Sequence, residues 1–172
     1  MTTKNITNEF MEMVLNDSAW KELSRFFPWT EQMLEKHKGR VDWREISNNV
    51  NILWTSVMLE KFKEFINWKD LSAMRCETIL TKECLENFED YWDWTELSGN
   101  LELVLDYQLI DSFIDRWNWS ELINRWGGDR LYNMDFLVRY ADKIPSGKLQ
   151  DSQLWIKIVE ERVKELKSEV IA

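Results

Sequence analysis

Histidine is almost missing from this chain: among 172 residues there is only His37, so any Ser-His or Cys-His catalysis would have to run through it. Cysteine is nearly as scarce. Cys76 and Cys84 are too few for a disulfide framework and lack the paired spacing of a metal site, and the simpler reading is a reducing compartment. Of the five glycines only Gly127-Gly128 are adjacent, so no glycine-rich loop is present to cradle a phosphate. No run approaches the ~18 apolar residues of a membrane span, and Met1 to Glu9 hold no apolar signal segment. The expected location is the cytoplasm, or a host cytoplasm or nucleus if the source is viral. Asn5-Ile6-Thr7 matches a glycosylation acceptor only as a short pattern. Basic charge is also short: Lys+Arg 22 against Asp+Glu 31 leave a net charge of −9, which argues against a surface that tracks phosphates. The composition thus favours a neutral or basic protein partner, with no direct nucleic-acid or membrane binding and no cofactor.

Aromatic side chains are abundant instead, 13% of the chain with 11 Trp, in a composition that is 44% hydrophobic and able to build a core. The tryptophans are periodic. Asp42-Trp43-Arg44-Glu45-Ile46-Ser47 returns as Asn67-Trp68-Lys69-Asp70-Leu71-Ser72, as Asp93-Trp94-Thr95-Glu96-Leu97-Ser98 and as Asn118-Trp119-Ser120-Glu121-Leu122-Ile123, at steps of 25 or 26 residues. Trp20-Lys21-Glu22-Leu23-Ser24 is a fifth copy upstream. A fixed period of this length marks a repeat architecture. Asp42, Asn67, Asp93 and Asn118 read as N-caps. Glu45, Asp70, Glu96 and Glu121 follow three residues on, as in a capping box, and face the positive end of the helix dipole. This helix B is expected to run ~6–8 residues, too short to hold without neighbours.

A second periodic segment is offset from the first. Its copies begin at Trp29-Thr30, Trp54-Thr55, Leu80-Thr81, Leu105-Asp106 and Tyr132-Asn133. Thr30, Thr55, Thr81, Asp106 and Asn133 each offer a side-chain oxygen to the first turn of a helix. Apolar residues three, four and seven positions on make one helical face, predicting a helix A of ~10–12 residues.

The ends differ. Phe10, Met13, Val14, Trp20 and Leu23 form a helical stripe interrupted near Asn16-Asp17-Ser18, and Pro28 ends this first unit. Near Lys143-Ile144-Pro145-Ser146-Gly147 the Trp signature decays. A longer helix follows, capped by Asp151 or Ser152, with Leu154, Trp155, Ile158, Val159, Val163, Leu166 and Val170 as its apolar stripe. Two readings of it stand: a lid over the last unit, or a tail helix that dimerises. The expected fold is all-α, a short right-handed α-solenoid of tandem two-helix repeats in one domain over 1–172. Residues 1–28 form the N-terminal capping unit, 29–140 the repeats and 141–172 the C-terminal cap, in a monomer or weak dimer.

The recurring Asp/Asn-Trp-x-x-Leu-Ser signature, alternating with a helix that ends in an aromatic, resembles short tandem two-helix repeats found in proteins of Bacteroidetes and large DNA viruses. The resemblance covers roughly Trp20 to Tyr140. It implies the architecture and carries over no catalytic residues.

In the repeat alignment His37 takes the slot of Phe62, Phe88, Phe113 and Tyr140, so it reads as a structural, partly buried ring. Cys84 replaces Met33, Met58 and Leu109 as a small core hydrophobe, and Cys76 is a loop thiol whose one activating neighbour is Arg75. The signature tryptophans read as core spacers. Trp92 and Trp117, two residues before a signature Trp, are the least constrained, and Trp126 is the candidate exposed aromatic. From Glu77 to Glu121 stand 12 acids against two bases, Lys82 and Arg116. Capping accounts for Asp93, Glu96, Asp106 and Glu121. Glu83, Glu86, Glu89, Asp90, Asp111 and Asp115 remain as a candidate surface, either simply solvated or steering a basic partner. The functional expectation is a non-enzymatic helical-repeat protein that binds another protein. The alternative is a small acidic inhibitor, carried by a phage or mobile element, that occupies the nucleic-acid groove of a defence or processing enzyme.

Overall fold

The computed structural model describes residues 8–126 and 130–171; Asn5-Ile6-Thr7 and the Gly127-Gly128 pair lie outside them. The chain divides into two compact units, Met1–Ile79 and Leu80–Ala172. The first holds α1 (Asn8–Phe26), α2 (Glu31–His37), α3 (Trp43–Ser47), α4 (Ser56–Phe62) and α5 (Trp68–Ala73). The second holds α6 (Lys82–Asn87), α7 (Trp94–Gly99), α8 (Tyr107–Ser112), α9 (Trp119–Leu122), α10 (Met134–Arg139), α11 (Ser146–Leu149) and α12 (Gln153–Ile171). Among the described residues every regular element is helical, as the periodicities predict.

Local capping sets where the helices start. Thr30, Thr55, Thr81, Asp106 and Asn133 accept from the N–H three residues on and open α2, α4, α6, α8 and α10. Asp42, Asn67, Asp93 and Asn118 open α3, α5, α7 and α9. Helix A is shorter than the ~10–12 residues expected, while helix B reaches the expected ~6 in α5 and α7 and falls short of it in α3 and α9. Helix A spans 7 residues in α2 and α4 and 6 in α6, α8 and α10; helix B spans 5, 6, 6 and 4. The reason is visible at the aromatic slot. The carbonyl of His37 accepts from both Arg40 and Val41, that of Phe62 from Phe65 and Ile66, that of Phe88 from Tyr91 and Trp92, and that of Tyr140 from Lys143 and Ile144. One carbonyl taking two donors, on the last residue of α2 and α4 and one residue past the end of α6 and α10, tightens the chain into a turn.

Within each unit, one buried serine ties successive Trp helices together. Ser24 Oγ donates to the Trp20 carbonyl at 2.7 Å and accepts from the Asp42 N–H at 2.9 Å. Ser47 does the same between Trp43 and Asn67, at 2.6 and 2.9 Å. In the second unit Ser98 repeats it between Trp94 and Asn118, at 2.6 and 2.9 Å. All three serines are fully buried. This corrects the capping box: the N-cap N–H of Asp42 is satisfied by the preceding copy's serine and not by Glu45, whose carboxylate instead meets Arg25 at 2.8 Å. Accordingly α3 packs against α1 and α5, and α7 against α9.

The signature indoles complete the hairpins. Trp43, Trp68, Trp94 and Trp119 each donate Nε1–H to the carbonyl five residues back, those of Lys38, Lys63, Glu89 and Ile114, at 2.8 to 3.3 Å. Each ring therefore latches helix B onto the end of its own helix A. Its face meets the aromatic slot of the next copy: Trp20 with His37 at 5.5 Å, Trp43 with Phe62 at 5.3 Å, Trp94 with Phe113 at 4.9 Å and Trp119 with Tyr140 at 5.0 Å. Trp43, Trp68 and Trp94 remain only half-buried. The deepest aliphatic positions are Leu34 and Leu59 on helix A, with Ile46 and Leu71 on helix B, in the first unit; in the second they are Leu85 and Ile110, with Leu97 and Leu122.

Both ends depart from expectation. The helix α1 runs unbroken through Asn16-Asp17-Ser18, and Phe10, Met13 and Val14 of its early stripe are exposed. At the other end Ser152 is the cap, accepting from Trp155 N–H, while Leu154 N–H reaches the Ile123 carbonyl at 3.0 Å. Only Leu154 and Ile158 of α12 are buried, so it lids the last unit with its first two turns, and Val159, Val163, Leu166 and Val170 stay in water.

Removing the relay hydroxyl leaves a buried N-cap N–H without an acceptor. Ser47→Ala and Ser98→Ala are each expected to lower the unfolding free energy in urea by about 1–3 kcal/mol. Ser112→Ala, at an exposed serine that bonds only within its own helix, is expected to cost under about 0.5 kcal/mol. Equal effects at the three positions would contradict the relay.

Candidate functional site

The six candidate acids all lie in the second unit, on α6, α8 and the turns that follow them, and the structure surrounds them with cations. Arg116 bridges Glu89 at 2.7 Å and Asp90 at 2.6 Å. Arg139 meets Asp111 at 2.5 Å, Lys143 meets Asp115 at 2.7 Å, and Lys82 lies 3.7 Å from Glu86. Glu83 is exposed on the first turn of α6. The acids of one helix A thus face cations from the next, 26 to 28 residues along the chain. The first unit carries the same rung between α2 and α4, where Lys61 meets Glu31 at 2.9 Å and Glu35 at 3.7 Å. What reads in sequence as an acidic run is, in space, a ladder of alternating sign. It brings together Glu89, Asp90 and Arg116 as one cluster and Asp111, Arg139 and Tyr140 as another.

The second cluster is the better enclosed. Asp111 accepts from Arg139 and, at 2.8 Å, from the Tyr140 hydroxyl. The Arg139 hydrogen bond, aided by that of Tyr140, holds the Asp111 carboxyl below its ordinary value against the opposing effect of burial. Burial, reinforced by the bond to Asp111, pushes the Tyr140 hydroxyl up to about 12. Hydrogen bonding to Asp115 raises Lys143, and hydrogen bonds to Glu89 and Asp90 raise Arg116. Such partly exposed pairs contribute modestly to stability individually; their role is to register one helix A on the next.

His37 is half-buried between Trp20 and Trp29, with ring centroids 5.5 and 6.2 Å away, which is the structural position expected of it. Cys84 is buried, and Cys76 is half-exposed with its Sγ 3.2 Å from Thr78 Oγ1. Among the described residues no group of three His, Cys, Asp or Glu side chains is placed to hold a metal, and no helix is long and apolar enough to cross a membrane.

Trp92 and Trp117 are a correction. Both are buried, and their indoles donate to the carbonyls of Cys84 at 3.2 Å and Ile110 at 3.0 Å. Val41 and Ile66 hold the same place in their copies and are buried too, so this is a core slot and not an unconstrained one.

Trp126, in contrast, is 77% exposed, and it has company that sequence reading missed. Seven residues after a signature Trp stand Val50, Leu101 and Trp126; ten residues after stand Leu53 and Val104, and all five are exposed. The residue just before, six after the Trp, is a buried polar anchor. Asn49 donates to the carbonyls of Ser24 and Phe27 at 2.8 Å. Arg125 donates to those of Asn100 and Leu103, at 2.7 and 2.6 Å. With the backbone pinned at that point, the next side chain faces water. In the second unit Arg125 draws Trp126 alongside the loop that carries Leu101 and Val104, making an exposed apolar rim. The signal in the sequence was an apolar residue recurring at loop positions in register with the repeat.

Acid titration tests the ladder. Asp111 and Glu45 are held below their ordinary 3.8 and 4.5, so the stability they supply is complete above those values and is lost as pH falls through the lower folded ones. The thermal midpoint is expected to drop below pH 4.5. Asp111→Asn should lower it at neutral pH and make the acid limb shallower; an unchanged limb in that variant would contradict the assignment.

Comparison with protein-family models, with curated proteins and with solved structures gives no match to this chain.

Proposed function

We propose that the chain is a non-enzymatic, right-handed α-solenoid of tandem two-helix repeats that binds a protein partner along its loop rim. The observation that carries this reading is the exposed set Leu101, Val104 and Trp126, held outward by the buried anchor Arg125. Solvated aliphatic and indole side chains cost free energy in water, and several of them carried by neighbouring stretches that a buried side chain ties together suit a binding surface. The equivalent pair Val50 and Leu53 extends the pattern to the first unit. Stacked two-helix repeats would present such loop positions along one edge, which supports the solenoid reading as well.

The acids take a lesser part. Because Glu89, Asp90, Asp111 and Asp115 are neutralised at close range, they add little to affinity. The net charge of −9 still favours a basic partner through long-range steering.

The test is affinity capture with purified wild-type chain, identification of the retained protein, and repetition with variants. Trp126→Ala, and the pair Leu101→Ser with Val104→Ser, are expected to weaken retention at least about tenfold with an unchanged circular dichroism spectrum. Glu89→Lys with Asp90→Lys should mainly slow association at low salt. Full retention by the rim variants, with loss on reversing the acids, would contradict the proposal.

A further inference from the structure

The exposed part of α12 carries a second apolar surface. Ile156, Val159, Val163, Leu166 and Val170 are all exposed, and their spacings of three, four, three and four residues are those of a coiled-coil seam. At about 100° per residue this seam lies about 140° around the helix from the line of Leu154 and Ile158, the two residues that dock α12 onto its unit. One helix therefore has two apolar faces pointing to different places. Val163, Leu166, Lys167, Val170 and Ile171 line a shallow groove, and the first four are spaced i, i+3, i+4 and i+7. That is the four-residue hole into which a side chain of a facing helix inserts.

We infer that this seam pairs two copies of the chain through an antiparallel α12–α12 contact. The flanking charges choose both the occupant and the direction. With Ile156, Val163 and Val170 as a and Val159 and Leu166 as d, Glu160 and Lys167 fall at e, and Arg162 and Glu169 at g. In an antiparallel pair e faces e and g faces g. Placing Val163 opposite the second copy's Leu166 sets each Glu160 against a Lys167 and each Arg162 against a Glu169, so all four flanking contacts are attractive. A parallel pair in register would instead face Arg162 with Lys167, two cations. Within one copy Arg162 already sits 2.8 Å from Glu165 and 3.8 Å from Glu169, so its guanidinium lies beside the seam. In this register Val159 pairs with Val170 and Val163 with Leu166, a core of less than two heptads, which makes the dimer reversible and concentration-dependent.

Sedimentation equilibrium of the full chain over a wide micromolar range tests this. A reversible monomer–dimer equilibrium is expected, abolished by Leu166→Glu without loss of helical signal. Lys167→Glu alone and Glu160→Lys alone should each weaken dimerisation about tenfold, and the double exchange Glu160→Lys with Lys167→Glu should restore it. The direction is read from one sign: Lys167→Glu would tighten a parallel dimer. Tightening by Lys167→Glu, a chain that stays monomeric throughout, or a dimer indifferent to Leu166→Glu would each overturn the inference. Trp126→Ala should leave the dimer unchanged, so failure here and failure of the rim proposal are separate results.

Discussion

The short Trp helices begin with donors that they cannot satisfy themselves. A helix of four to six residues has nearly all its N–H groups at its open end, and at the N-cap the backbone N–H of Asp42, Asn67 and Asn118 turns inward. Each finds the hydroxyl of Ser24, Ser47 or Ser98, which at the same time donates to the carbonyl of its own Trp. That bond crosses from one copy to the next in a buried position, so the starts of α3, α5 and α9 depend on the copy before them. The tilted ring contact of a signature indole with the next aromatic slot acts alongside it. Neither contact exists inside a single hairpin, and this is why units with such short helices can hold a structure.

Much of this was legible because it is local. Thr30, Thr55, Thr81, Asp106 and Asn133 are read as caps from their own neighbours, and they are caps. The period of the Trp signature marks equivalent places, and the four indole bonds to carbonyls five residues back make them so. What was misread depends on contacts between copies. Ser24, 18 residues upstream, takes the role expected of Glu45, whose carboxylate is engaged by Arg25. Trp92 and Trp117, two residues before a signature Trp, read as unconstrained because they stand outside the signature; Val41 and Ile66, in the same slot, mark it as apolar. The buried polar anchors Asn49, Asn100 and Arg125 stand in register two residues beyond the end of the signature, where the six-residue pattern does not reach.

The candidate surface shows the same limit. A count along the chain from Glu77 to Glu121 finds few bases because two of the cations that answer those acids, Arg139 and Lys143, lie one repeat further on. Charge excess along this chain therefore has to be counted against residues 26 to 28 positions away before it is read as a patch. The apolar residues at loop positions carried the more durable signal. They recur in register, they follow a buried polar anchor, and no cation or acid one repeat away can neutralise them.

Native-state hydrogen exchange at the N-cap amides measures the dependence between copies most directly. An N-cap N–H on an independent helix has no intrahelical acceptor and exchanges at nearly the rate of an open chain. If the serine relay holds the copies together, the amides of Asp42, Asn67 and Asn118 exchange only by opening of the whole unit, with protection equal to that of core amides such as Leu71 and Leu97. Exchange of these three at loop rates, while the helix interiors stay protected, would contradict the account.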